Sequence, residues 1–321
     1  MTRYILKRLL LVGPMLLAIS IITFLFINLA PGDPVLAMIR PEDRVVAEDL
    51  ERLREGLGLN KPLYVRYALW LREALTGNFG FSYINGEPVL KRIGERIWPT
   101  VELMGAALVI STLMGAVLGI LAALRIYSIW DYALSVLSLL GLSVPGFFLA
   151  LVALYIFAAK LQVLPAFGMS SAAVGTQNPG LADHLRHLVL PAMVLSVELV
   201  ASFMRYTRAS MIEVLNADYI TTARAKGLHE RVVVLRHALR NAITPLITII
   251  ALRLPILVGG AIIIETMFQW PGMGLLAIQA IQQRDYPVLM GLTFIFSVLV
   301  LFSNLLADVL YAYADPRIRY Q

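Results

Sequence analysis

Apolar residues along this chain follow two rhythms. Long runs with few charges occupy 9–29, 100–124, 133–159, 188–208, 243–268 and 288–312. Each is close to or beyond the about 20 residues that carry a helix across a bilayer core. Between the first two runs, from 30 to 99, the pattern changes. Val46, Leu50, Leu53 and Leu57 recur at helical spacing among charged residues, and Tyr64, Tyr67, Leu71 and Leu75 form a second stripe. Gly77-Asn78-Phe79-Gly80-Phe81 and Asn85-Gly86 break the pattern, and Val89 to Arg96 reads as a third short helix leading to Pro99. A flexible connector does not carry so many periodic apolar and aromatic residues, so this stretch is expected to fold as a small helical cap. The predicted class is an all-α polytopic membrane protein, a single domain over 1–321 with six transmembrane helices and the cap between spans 1 and 2.

Composition agrees. The 321 residues are 59% hydrophobic and 15% charged, where a soluble domain is about a quarter charged. A net charge of +6 would invite a nucleic-acid partner in a soluble protein. Here the positions of the charges explain it, because cytoplasmic loops collect Lys and Arg. Arg3, Lys7 and Arg8 place the N-terminus in the cytoplasm, and 125–132 and 209–242 then face inward. The latter loop and its flanks hold Arg205, Arg208, Arg224, Lys226, Arg231, Arg236 and Arg240 against Glu213, Asp218 and Glu230. The C-terminus, with Arg317 and Arg319, returns to the same side, while the outward loops 160–187 and 269–287 are poor in Lys and Arg. No nucleic-acid partner is expected. The run 9–29 exceeds the 7–15 residues of a signal h-region, and Asn28 and Pro31 argue against a cleavage site. It reads as an uncleaved first span. Cysteine is absent, so disulfides, thiolate metal sites and thiol nucleophiles are excluded.

One inward segment has a structure of its own: Asp218-Tyr219-Ile220-Thr221-Thr222-Ala223-Arg224-Ala225-Lys226-Gly227-Leu228. Asp218 is placed to cap a short helix, and Gly227 to end it in the left-handed C′ position. At about two turns, such a helix needs a docking surface to be stable. A second basic helix, Glu230 to Asn241, leads directly into the next span.

This segment resembles the cytoplasmic EAA loop of ABC-importer permeases, whose pattern is Glu-Ala-Ala, three residues, then Gly. Thr221-Thr222-Ala223, Arg224-Ala225-Lys226 and Gly227 take those places, with Thr221 standing where the leading Glu is usual. His237-Ala238-Leu239-Arg240-Asn241-Ala242 with Pro245 continues the match. So do Ala30-Pro31-Gly32-Asp33-Pro34, Gly58-Leu59-Asn60-Lys61-Pro62, Glu265-Thr266-Met267-Phe268-Gln269-Trp270-Pro271-Gly272 and Asp315-Pro316-Arg317-Ile318-Arg319. Together they resemble, over essentially the whole chain, the B-type permease of dipeptide, oligopeptide and nickel importers. The resemblance implies a second homologous permease, two ATPase subunits that bind the ATP and Mg, and an extracytoplasmic substrate-binding protein, in a prokaryotic cytoplasmic membrane. It implies no cofactor in this chain. It also assigns ATPase coupling to Asp218, Tyr219, Thr221, Thr222, Ala223, Arg224, Ala225, Lys226, Gly227 and Leu228, with Arg224 and Lys226 able to pair with acidic groups on the partner. Peptides are the default cargo; nickel, glutathione and oligosaccharides travel through similar permeases.

Other chemistry is sparse. There is no phosphate-binding G-x-x-x-x-G-K-[ST] and no H-E-x-x-H, and Ser202–Thr222 holds hydroxyls without a base arrangement. His184 and His187 are expected to be polar residues snorkelling at the interface rather than a metal pair. Charges inside spans point to function: Glu198 and Arg253 either face a common aqueous cavity or pair as a structural lock. A gradient-driven secondary transporter would require an ion-coordinating constellation and inverted repeats; isolated Glu198 and Arg253 do not make one. Glu265, Asn304 and Asp308 read as structural. Pro14, Pro145, Pro191, Pro245 and Pro255 are expected to kink or break their helices.

Overall fold

A computed structural model describes residues 2–29, 35, 47–56, 58–171, 180–258 and 262–314. The helices are α1 (Thr2–Leu29), α2 (Ala47–Gly56), α3 (Leu63–Leu75), α4 (Val89–Leu124), α5 (Ile129–Ser143), α6 (Gly146–Ala153), α7 (Leu181–Leu215), α8 (Asp218–Ala225), α9 (Glu230–Val232), α10 (Leu239–Val258), α11 (Ile262–Met267), α12 (Met273–Gln283) and α13 (Tyr286–Ala314). π-helical turns extend α6 over Leu154–Lys160 and join α9 to α10 over Val233–Ala238. No strand occurs among the described residues. An isolated antiparallel bridge pairs Phe81 with Pro88.

Among the described residues four helices, α1, α4, α7 and α13, contain a stretch long and apolar enough to cross a membrane, and α5 with α6 adds a fifth if that bent pair is one span. The chain is therefore an all-α polytopic membrane protein. The apolar run 243–268 falls on α10 and α11 and is not among these. Of the prolines, Pro145 has the largest visible effect: α5 and α6 meet there at 102°. The cause is local, since the residue before a proline is pushed out of the α region, and Val144 is extended at φ −83°, ψ 123°. Pro14, Pro99 and Pro191 lie within continuous helices, as do Pro245 and Pro255. Boundaries shift accordingly. Val89 to Arg96 is the first part of α4 rather than a separate cap helix, α7 runs on to Leu215, and the outward stretch 269–287 contains α12.

The chain divides into two compact units. The first comprises Met1–Thr100 with Pro271–Leu301, the second Val101–Trp270 with Phe302–Gln321. In the first unit Ala74, Phe79, Val89, Ile93, Met273, Leu276, Ala280, Val288 and Leu292 form the core. The buried face of α3 differs from the expected stripe. Tyr64 and Leu75 are each 75% exposed. Tyr67, Trp70 and Ala74, which share a face at i, i+3 and i+7, turn inward: Tyr67 hydrogen-bonds Ser20 at 2.8 Å, Trp70 packs on Phe294, and Ala74 is buried. α3 is apolar on adjacent stripes, so its pattern alone does not choose between them. In the other amphipathic stretch Leu53 is exposed, and Val46 and Leu57 lie outside the described residues. A buried carboxylate closes this unit: Asp285 accepts from the Tyr83 N–H at 3.1 Å, from Arg92 Nη1 at 3.1 Å and from the Ser82 hydroxyl.

In the second unit α7 is the central helix. It packs on α4 at backbone contact. A Cβ on Gly115 would lie 2.6 Å from Phe203 Cβ, and one on Gly119 would lie 2.7 Å from the Met204 carbonyl oxygen. One core gathers Leu103, Leu188, Leu190, Phe268 and Trp270. The other gathers Met211, Ile220, Ala223, Val233, Val234 and Ala238, and it positions the site described next.

Candidate coupling site

The short helix α8 covers Asp218–Ala225, and it sits on its own chain. Ile220 and Ala223, three residues apart on one face, are buried against Met211 of α7 and against Val233, Val234 and Ala238 of the π-helical turns. That burial supplies what an eight-residue helix lacks alone. Asp218 is the first helical residue and not the cap. Ala217 occupies the N-cap position with no side-chain hydrogen bond, and Asp218 instead places its negative charge in the first turn, where it favours the helix dipole. At the other end Gly227 has φ +76°. Its N–H bonds the Arg224 carbonyl at 2.9 Å and the Leu228 N–H that of Ala223 at 3.4 Å. Nothing lies within 4 Å of a Cβ placed on Gly227, so substitution there costs backbone strain alone, about 1–2 kcal/mol for an ordinary residue.

Two side chains differ from the partner-facing roles the sequence suggested. Ala223 is 8% exposed and belongs to the chain's own core. Arg224 pairs with Glu230 through Nη2–Oε1 at 2.7 Å and Nε–Oε2 at 3.2 Å, because the turn at Gly227 brings α9 back beside α8. The hydrogen bond from Arg224 holds the Glu230 carboxyl below its ordinary range. A depressed carboxyl pKa means that this pairing is complete above about pH 4.3 and is lost as pH falls through the lowered value. Tyr219 accepts from Asn241 Nδ2 at 2.9 Å and so ties α8 to α10. Tyr219, Thr221, Thr222, Ala225, Lys226 and Leu228 remain on the exposed face. The result is a docked, mostly neutral platform, with Lys226 and Asp218 as its charges outside the Arg224–Glu230 pair.

A contact the sequence did not reveal anchors the same region. Asp131, 2% exposed, takes a bidentate pair from Arg208, Nε–Oδ1 at 2.6 Å and Nη2–Oδ2 at 2.8 Å, and also accepts from the Tyr127 N–H at 3.0 Å. Bidentate guanidinium–carboxylate geometry is the strong form of this interaction. It clamps the start of α5 to α7, one turn before the residues that carry α8.

Glu198 and Arg253 form no ion pair with one another among the described residues. Glu198 is exposed. Arg253 Nη2 reaches the Ser202 hydroxyl at a long 3.5 Å, and Ser202 lines a cavity of about 490 Å³ with Ser135, Ser138, Arg205, Tyr206 and Arg208. His184 and His187 do not snorkel. His184 bridges the Met169 carbonyl, at 3.0 Å, and Glu102, while His187 is buried with Nδ1 2.9 Å from the Asp183 carbonyl. No group of three metal-ligating side chains occurs among the described residues. Glu265 is fully buried, and the Trp270 N–H bonds its carbonyl at 2.8 Å. The segments 30–34 and 315–319 lie outside the described residues.

The helical bundle with a short docked helix between long apolar ones is a transporter-permease fold. It superposes on an inward-facing conformation of the MetNI methionine ABC transporter with a TM-score of 0.54 at 16% identity, over 70% of this chain and 96% of that one. Residues 115–320 match the family model of the binding-protein-dependent transport system inner membrane component, and 1–104 match that family's N-terminal model. A protein of Brucella suis biovar 1 named as a peptide permease is 48% identical over 320 residues, 99% of each chain. The oligopeptide transport system permease protein AppB of Bacillus subtilis is 41% identical over 321 residues, the full length of both. The chain belongs to the family of binding-protein-dependent transport system inner membrane components. It is thus a multi-pass permease subunit of an ABC transport complex and not the enzyme of that complex.

Proposed function

We propose that this chain forms half of the translocation pathway of an ATP-driven importer of di- and oligopeptides. A second homologous permease supplies the other half, two cytoplasmic ATPases bind ATP and Mg, and an extracytoplasmic binding protein delivers the peptide to the side carrying 30–99. Both termini and 209–242 face the cytoplasm in this reading. The peptide assignment rests on full-length similarity to permeases named for peptides. The coupling assignment rests on one observation: α8 is held rigidly by Ile220 and Ala223 while Tyr219, Thr222, Ala225 and Lys226 stay exposed. A surface so fixed passes displacement by an ATPase into α7 and α10. The chain has no cysteine, which permits a direct test in the assembled transporter. Ala225→Cys and Lys226→Cys should each be captured by the ATPase through a short bifunctional cross-linker, and Tyr64→Cys should not. An intact complex that yields no ATPase product from either coupling position would refute the assignment.

A further inference from the structure

The first unit contains a cavity of about 570 Å³, within the range of small-molecule sites. Phe24 and Asn28 reach it from the end of the apolar stretch Leu10–Leu29, and Tyr286 and Met290 from the beginning of the stretch Tyr286–Asp308. It therefore lies where two spans leave the hydrocarbon, at the depth of lipid headgroups.

One of its donors lacks an acceptor. The guanidinium of Arg66, half-buried on α3, makes no ion pair and donates no hydrogen bond among the described residues; its carbon lies 6.0 Å from the centroid of the Phe24 ring, the outer limit of a cation–π contact. Burial pulls the guanidinium below its ordinary pKa, opposed by Tyr83, and no carboxylate offsets that desolvation. Trp70, one turn further along α3, lines the same space. A buried donor left unmet costs free energy, so such groups ordinarily have acceptors. The carboxylate of Glu73 on this wall is engaged by Asn78 Nδ2 at 3.0 Å and not by Arg66.

We propose that this cavity binds the headgroup of a glycerophospholipid, the phosphate accepting from the Arg66 guanidinium, the acyl chains lying on α1. Three features favour a lipid over a free anion or a peptide. The space greatly exceeds a phosphate ion. Phe24, Trp70, Phe79 and Tyr83 line it. α1 beside it exposes large apolar residues, Phe26 and Leu29 at 73% and 71%, to whatever surrounds the bundle. Glu55 and Glu73 at the margin suit the ammonium or hydroxyl groups that such headgroups carry. The site is independent of the coupling assignment.

The test uses the whole transporter, purified and delipidated, with short-chain phosphatidylglycerol and phosphatidylethanolamine as probes and binding read by native mass spectrometry and thermal shift. Wild type should bind a probe phospholipid. Arg66→Gln should weaken binding about tenfold, as expected for loss of a charge-assisted hydrogen bond, and Arg66→Lys, which keeps the charge but not the planar fork, should weaken it several-fold. Lys91→Gln, on an exposed side chain outside the cavity, should leave it unchanged. Equal binding by Arg66→Gln and wild type overturns the site. So does inorganic phosphate that competes as strongly as the lipid, which would mark a free-anion site, and so does a dipeptide that displaces the probe. If Arg66→Gln fails to assemble, Arg66→Lys, which keeps the charge, decides: unchanged lipid binding in that variant overturns the proposal.

Discussion

Arg253 places a permanent charge inside α10, and the structure gives it a hydroxyl rather than a carboxylate. If α10 crosses the membrane as the proposed topology has it, its guanidinium must face water, a partner or cargo, and the neighbouring cavity lined by Ser135, Ser138, Ser202 and Arg205 favours the first and last of these. We therefore expect Arg253→Gln to assemble normally while uptake falls by about tenfold or more, equivalent to ~1.4 kcal/mol in the transport barrier. Adding Glu198→Gln should restore nothing, since the two groups share no ion pair. The competing lock predicts the reverse, poor assembly in the single variant and recovery in the double. Complex yield and uptake measured together separate the two. The sequence exposed Arg253 and Glu198, because a charge inside an apolar run is visible one residue at a time. It did not expose Asp131, whose partner Arg208 lies 77 residues away.

At the scale of helices, two contacts govern how the second unit can move. One is the docking of α8 through Ile220 and Ala223. The other is the crossing of α4 and α7, where glycine lets backbones touch. Identical substitutions on α4 should therefore have opposite effects. Gly119→Ala puts a Cβ 2.7 Å from the Met204 carbonyl oxygen and 2.7 Å from Thr207 Cβ, and backbone cannot yield as a side chain can; overpacking of this kind costs about 1–3 kcal/mol. At Gly105 a Cβ meets nothing within 4 Å, so Gly105→Ala should be neutral or gain up to about 1 kcal/mol from helix propensity. Thermal unfolding of the two variants in detergent should place them on either side of wild type; a Gly119→Ala protein as stable as Gly105→Ala would show that the crossing is not under this constraint.

For the whole molecule, the proposed topology makes a plain forecast. In the proposed orientation residues 30–99 face outward, and both termini with 209–242 face the cytoplasm. In intact cells an impermeant thiol reagent should label Tyr64→Cys, at a side chain 75% exposed, and should reach Ala225→Cys only after the membrane is opened. Labelling of Ala225→Cys from outside would reverse the arrangement and remove α8 from the ATPases.

Class and family were legible from sequence alone, because apolar run length and turn motifs are local properties of the chain. Long runs mark helices that water will not hold, and Gly227 shows its left-handed conformation through the one residue type that adopts it freely. What lies between helices was not local. Nothing near Ala223 distinguishes a residue buried in its own core from one offered to a partner, and nothing near Tyr67 tells which stripe of α3 turns inward. The Ser82–Asp285 hydrogen bond joins positions 203 residues apart, and the cavity beside Arg66 draws its walls from α1, α3 and α13. Such features exist only once particular helices are neighbours. Periodicity specifies that a face must be covered; packing alone specifies by what.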